Sequence, residues 1–268
     1  SLFLPQVQEW FRSSLGHPTE VQRQAWPVIQ AESNCLISAP TGSGKTLAAF
    51  LWSIDRMLRN MKKEDPEDRI LYISPLKALN SDIEANLRTP LRQLRESMGR
   101  SCREIRVAVR SGDTGSAERR RQDREHPDIF ITTPESLAIL MSRSAWPGLL
   151  HGIATVIVDE IHSLVDNKRG ALLTALLELL EYRNGSFQRI ALSATVNPVE
   201  TVSSWFGGWV REDGSGGLKR RPMKMVTVPG DKRYEIELDR PETDEDGRAS
   251  IPGSWLRNRM EPYRGVLL

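Results

Sequence analysis

The sequence predicts an α/β fold: a doubly wound, mainly parallel sheet with helices on both faces. Three observations predict it. Short apolar runs alternate with helix-like segments from about residue 35 to about residue 195. The runs are near-continuously hydrophobic, as in strands buried on both faces of a parallel sheet, rather than alternating in and out. A glycine-rich turn joins the first run to the first helix after it, the usual place for a phosphate site in such sheets.

The elements follow in order. Residues 1–34 read as a helical N-terminal region, with Pro18 and Thr19 at a helix start. The strands expected over 35–210 are LIS (36–38), ILYIS (70–74), IRVAV (105–109), IFIT (129–132), TVIVD (155–159) and RIALS (189–193), each bounded by Gly, Pro, Ser or a charge. Segments 46–58, 78–94 and 171–181 carry the apolar spacing of amphipathic helices. Residues 211–222 read as a loop, and MKMVTV (223–228) with YEIEL (234–238) as a hairpin. The acidic stretch 239–250 reads as a linker, and 255–268 as the start of a further unit. No internal repeat or low-complexity tract is present.

Composition excludes several classes. Over 268 residues the chain is 39% hydrophobic and 27% charged, which argues against disorder. Its 37 basic and 35 acidic side chains leave +2, so bulk charge alone demands no nucleic-acid partner. No apolar stretch approaches a membrane span, and SLFLPQVQEW lacks the basic start and apolar core of a signal peptide. Cys35 and Cys102 with four scattered histidines make neither a disulfide framework nor a zinc spacing. A cytoplasmic protein with no membrane partner is expected. The start at Ser1, without Met, suggests a piece of something longer.

The sharpest motif is Ala39-Pro40-Thr41-Gly42-Ser43-Gly44-Lys45-Thr46, a P-loop set between a strand and a helix. Gly42 and Gly44 let backbone N–H groups turn inward around phosphate oxygens, with Thr41 before them and Ser43 between, and the helix N-terminus adds its dipole. Lys45 would neutralise the β- and γ-phosphates of ATP, and the Thr46 hydroxyl would ligate Mg²⁺. The strict pattern begins with Gly, whereas this one begins with Ala39. The second motif is Val156-Ile157-Val158-Asp159-Glu160-Ile161-His162. A strand ending in two acids places both at the carboxyl edge of the sheet, Asp159 for the Mg²⁺ shell and Glu160 to orient and deprotonate a water.

With these residues in place, the chain resembles the first RecA-like lobe of superfamily 2 helicases, most closely the large helicase-related (Lhr) group, over residues 3 to about 210. The fold implied is a RecA-like P-loop NTPase domain. His17-Pro18-Thr19-Glu20-Val21-Gln22 is similar to the Q motif, which implies that Gln22 contacts adenine. The aromatic residue that the family carries upstream is Phe3, Trp10 or Phe11. Ser74-Pro75-Leu76-Lys77-Ala78-Leu79-Asn80 resembles motif Ia, which implies strand contacts from Pro75, Lys77 and Ala78. Arg110-Ser111-Gly112 and Thr133-Pro134-Glu135 resemble the next two strand-facing motifs. Their hydroxyls, cations and helix N-termini suit phosphate contacts that read no bases. Ser193-Ala194-Thr195 resembles motif III, which implies that Ser193 and Thr195, with His162, couple the nucleotide to strand binding and lobe closure.

Between residues 88 and 124 lie eleven arginines against five acids, a net +6 that reads either as an electrostatic footprint for nucleic acid or as a solvated helix surface. Nothing in the chain resembles the motifs of a second RecA-like lobe, the partner that would supply an arginine finger. The expectation is therefore weak Mg-ATP binding and little turnover by this chain, within a parent that moves on a single strand of DNA, RNA or hybrid. Three other readings share part of the signature: a P-loop ATPase that moves no nucleic acid, a non-catalytic nucleic-acid-binding helicase-like module, and a defence- or nuclease-associated translocase.

Overall fold

The computed structural model describes residues 2–60, 68–99, 103–144, 146–194, 198–212 and 216–229, with the side chains of 77–81 outside that description. In chain order the elements are α1 Pro5–Leu15, α2 Glu20–Gln30, β1 Cys35–Ser38, α3 Lys45–Arg59, β2 Arg69–Ile73 and α4 Lys77–Met98. Then come β3 Val107–Arg110, α5 Ser116–Glu125, β4 Ile129–Thr132, α6 Pro134–Met141, α7 Trp146–Leu149 and β5 Ile153–Val158. A 3₁₀ turn at Ile161–Ser163 leads to α8 Lys168–Asn184, β6 Gln188–Ser193, α9 Val199–Gly207, β7 Trp209–Arg211, β8 Leu218–Arg220 and β9 Lys224–Thr227.

Seven strands form one sheet in the order β3-β4-β2-β5-β6-β1-β9, every pairing parallel. Alternate residues of each strand feed two cores. Ile37, Ile70, Tyr72, Ile157 and Leu192 face α1–α4, whereas Leu36, Leu71, Ile73, Val156 and Ala191 face α6–α9. All six strands expected from the apolar runs are in the sheet. Four helices carried no readable period; α5 (SAERRRQDRE) buries only Gln122 and has no apolar face to betray it.

Two expectations change. The N-terminal helices share the core of the sheet rather than standing apart: Val7, Trp10, Val21 and Ile29 join Ile54 and Ile70 in one cluster. Asp55, fully buried, accepts from the Leu4 N–H at 2.6 Å and fastens the entry to α1. The second change concerns 223–228, expected to lie outside the main sheet. β9 instead runs parallel to β1, Lys224 level with Cys35 and Thr227 with Ser38, so the sheet extends past residue 210. A half-buried edge strand and a hairpin strand share the same period of two, so the pattern alone could not separate them. The antiparallel ribbon is β7 with β8, Trp209 opposite Arg220, and 234–238 and 239–268 lie outside the described residues. Among the described residues no helix is long and apolar enough to cross a membrane.

A buried ion-pair group ties this last segment down. Arg189, with no exposed surface, binds Glu178 at 3.0 Å and Glu181 at 2.7 Å, and Arg221 binds Glu181 at 2.8 Å.

Candidate functional site

In a parallel sheet every strand delivers its last residue to the same edge. Here β1 delivers the phosphate loop, β2 Ser74-Pro75, β4 Thr133, β5 Asp159-Glu160 and β6 Ser193. α3 begins at Gly44 with no side-chain cap, so its first-turn N–H groups are left for an anion. Gly42 and Gly44 stand at φ 77° and 87°, which turns the loop around that helix end. A Cβ at Gly42 would meet nothing within 4 Å, and the buried Ser43 hydroxyl has no partner among the described residues. The loop is therefore open at its crown, with donors unspent.

Lys45 folds over this space. Its ammonium donates to the carbonyls of Ala39 at 2.5 Å and Pro40 at 2.8 Å, and the residue is 8% exposed. Burial pulls its pKa down, opposed by the nearby carboxylates of Asp159 and Glu160. Asp159 accepts from the Tyr72 hydroxyl at 2.6 Å on one oxygen and from the Glu160 N–H at 2.8 Å on the other. Tyr72 is wholly buried, stacked on Phe50 with centroids 5.3 Å apart, and burial together with Asp159 pushes its phenol far above the ordinary range. Glu160 has left-handed backbone, φ 48°, a conformation that costs a non-glycine residue about 1–3 kcal/mol. It turns the chain into the 3₁₀ turn and brings His162 Nδ1 to 3.3 Å from the Glu160 carboxylate and 3.2 Å from the Ser193 hydroxyl.

Gln22 supports the loop from behind. Thr19 and Gln22 form a capping box at the start of α2, worth about 1 kcal/mol, and the same residues reach the phosphate loop. Thr19 Oγ1 donates to the Ser43 carbonyl at 2.8 Å, and Gln22 Nε2 to the Gly44 carbonyl at 3.4 Å. At 3% exposure Gln22 is no surface glutamine. Phe3, Trp10 and Phe11 are all buried, packed edge-on in an aromatic group around Trp26, so none of the three stands out as an open stacking face.

The strand-facing candidates divide. Pro75 precedes α4, whose N-terminus also lacks a side-chain cap. The side chains of Lys77 and Ala78, and all of Thr195, lie outside the described residues. Ser111 and Gly112 form an exposed turn whose carbonyls accept from Arg119 at 3.4 and 3.0 Å. Arg110 corrects the expectation of a surface contact: its guanidinium is 4% exposed and bound to Asp123 at 2.7 Å. Its charge is spent on Asp123 and none is presented outward. Thr133, buried, caps α6 by accepting from the Ser136 N–H at 3.2 Å, Pro134 opens the helix, and Glu135 is ion-paired to Arg169.

The arginine run is mostly internally spent. Arg88 pairs with Glu84, Arg95 with Glu104, Arg103 and Arg106 with Asp128, and Arg121 with Glu118. Arg88, Arg92, Arg95, Arg106 and Arg121 rim a groove of about 600 Å³ between α4, β3 and α5, away from the phosphate loop. Sequence reasoning missed Tyr72 and Arg169, and placed Thr19 at a helix start and in the Q-like motif without its contact to the Ser43 carbonyl.

An open phosphate loop after β1 and an acid pair after β5, on one edge of a seven-stranded parallel sheet, define a P-loop nucleotide-binding lobe. The profile of the DEAD/DEAH box helicases matches residues 19–202, and the chain belongs to that family. Within it, the chain is 46% identical over 242 residues to the ATP-dependent helicase Lhr-Core protein 2 of Thermococcus barophilus, covering 85% of this chain and 28% of that one. It is 39% identical to the Lhr helicase/uracil glycosylase of Escherichia coli, over 93% of this chain and 16% of that protein. The structure of Mycobacterium smegmatis helicase Lhr bound to ssDNA and AMP-PNP superposes with a TM-score of 0.80 at 39% identity, covering 97% of this chain and 32% of that one. The chain thus spans under a third of the length of these relatives.

Proposed function

We propose that the chain is the ATP-binding lobe of an Lhr-like, ATP-dependent helicase or translocase that grips a single strand through its sugar-phosphate backbone. One observation carries the reading: Lys45, Asp159, Glu160 and the His162–Ser193 contact converge on the sheet edge that also bears the Pro75, Ser111 and Thr133 turns. The mycobacterial relative, caught with ssDNA and AMP-PNP, supports it.

The residues fit Mg-ATP. The open loop crown and the unspent Ser43 hydroxyl suit phosphate oxygens. No group of three or more His, Cys, Asp or Glu side chains among the described residues could hold a metal by itself. Thr46, in the first turn of α3, and Asp159 would supply oxygen ligands of the sort Mg²⁺ takes when phosphates complete its shell. Bound Mg-ATP supplies the transferable phosphoryl group. Lys45, whose ammonium donates to the Ala39 and Pro40 carbonyls, would hold the phosphate oxygens. Asp159, its carboxylate held by the Tyr72 hydroxyl, would hold the metal. Glu160 would orient water and take its proton, and Gln22, which holds the loop, would contact the base. His162 relays the state of Glu160 to Ser193. A second lobe is needed to stabilise the charge that develops on transfer; an arginine finger is typically worth about 10³ to 10⁵ in rate. A cytoplasmic setting suits an ATP-driven protein.

A titration of the chain with a fluorescent ATP analogue and Mg²⁺, beside turnover assays with and without single-stranded DNA and RNA, tests this. Binding abolished by Lys45→Ala, with negligible turnover on any strand, is the expected result. Unchanged binding in Lys45→Ala would remove the phosphate-site assignment, and strong strand-stimulated turnover would show that the lobe completes its own site.

A further inference from the structure

Arg169 belongs to no motif identified in the sequence, yet it joins three segments far apart in the chain. Its Nε donates to Glu135 Oε1 at 2.5 Å, and its Nη2 to the Pro75 carbonyl at 2.7 Å and Glu135 Oε2 at 3.3 Å. Pro75 enters α4 and Glu135 lies in the first turn of α6, the two turns proposed above to meet the strand. Behind Arg169 a continuous hydrogen-bonded path leads to the acid pair. Asn167 caps α8 by accepting from the N–H groups of Arg169 at 3.0 Å and Gly170 at 3.1 Å, and its amide donates to the Ser163 carbonyl at 2.7 Å. The Ser163 N–H and hydroxyl both donate to the Glu160 carbonyl at 2.9 Å. Gly170 locks the path against the body of the lobe: a Cβ there would stand 1.9 Å from the Leu164 carbonyl oxygen, so only glycine permits this approach.

We propose that Arg169 is a positioning residue that holds the two strand-gripping turns in register with the acid pair of the phosphate site. The inference rests on the functional reading above. Chemistry favours arginine for the task. Its planar fork spans a carboxylate and a carbonyl at once, which a lysine ammonium does less rigidly. It also cancels the charge of Glu135, whose carboxyl it holds below the usual range by hydrogen bonding. Without it, a carboxylate would face the phosphates of the strand. Arg169 and Glu135 are 40% and 48% exposed, so the pair adds little to stability. Its worth lies in where it holds the turns, and a contiguous packed and hydrogen-bonded path is the physical means by which one site biases another.

The test is a double-variant cycle in the full-length protein, reading ATP turnover against single-strand concentration. Arg169→Ala is expected to raise the strand concentration for half-maximal stimulation about ten-fold, within the usual span of couplings between sites. Strand-free turnover, KM for Mg-ATP and the melting temperature stay unchanged. Glu135→Ala alone, which cuts the tie to α6 but leaves the one to Pro75, raises the strand requirement less than Arg169→Ala does; Arg169→Ala/Glu135→Ala recovers part of the loss because the exposed carboxylate is gone, and Arg169→Lys falls between. A strand requirement equal to wild type in Arg169→Ala, or in Glu135→Ala, overturns the proposal. A wild-type protein that no single strand stimulates overturns the functional reading, and this inference with it.

Discussion

Removing the Tyr72 hydroxyl is the cleanest probe of how the site is held. Tyr72→Phe keeps the ring stacked on Phe50 and deletes one hydrogen bond, at 2.6 Å, to a carboxylate that is 7% exposed. Hydrogen bonds to charged groups are worth about 1.5–3 kcal/mol. For a domain of this size that lowers the melting temperature by about 3–12 °C. The pH dependence carries a sharper signature. The phenol's folded-state pKa is raised well above its ordinary value of 10.0, so the folded protein keeps a proton that the unfolded chain releases. The contribution is complete below about pH 10 and shrinks as pH rises further, by about 1.4 kcal/mol per unit. The stability gap between wild type and Tyr72→Phe should therefore be constant from pH 7 to 9 and close between about pH 10 and 12. Urea unfolding of both proteins across that range measures it. A gap that persists unchanged at pH 11 would refute the argument that a neutral, buried Tyr72 donates to Asp159.

Two further outcomes follow from the geometry. Gly44→Ala places a Cβ 2.6 Å from Gln22 Nε2 at a φ of 87°, so nucleotide titration should show binding lost, and Gln22→Ala in the same chain should not restore it because the backbone strain remains. Glu181→Ala strips a partner from Arg189 and Arg221, both under 9% exposed, and should cost about 3–5 kcal/mol in urea unfolding, whereas exposed Glu9→Ala should cost under about 0.5 kcal/mol.

The sheet and phosphate loop were legible because they depend on local signals. A buried parallel strand must be apolar throughout, and a phosphate loop needs its glycines and Lys45 within eight residues. What escaped depends on distance. Tyr72 reads as one more apolar residue of ILYIS; its hydroxyl meets Asp159 only because β2 and β5 pair with Tyr72 level with Ile157. Arg169 lies 34 and 94 residues from its partners. Arg110 misled in the opposite direction, since its motif suggests the surface while Asp123, thirteen residues on, draws it inward. Charge counting left 88–124 open between a nucleic-acid footprint and a solvated surface for a related reason: Glu84 and Asp128, just outside that window, pair with arginines within it.

The course of β9 has a mechanical consequence. It lies in parallel with β1, and its ladder ends where the Val228 N–H donates to the Ser38 carbonyl, one residue before the phosphate loop begins. Tension on the chain beyond Pro229 is borne first by this ladder, and so by the strand that carries the loop. A pull along the strand axis loads the bonds of the β1–β9 ladder together, in shear; a sideways pull opens them one at a time from Val228. The lobe is thus stiff to one direction of load and compliant to the other, with its nucleotide loop sited at the point where the load enters.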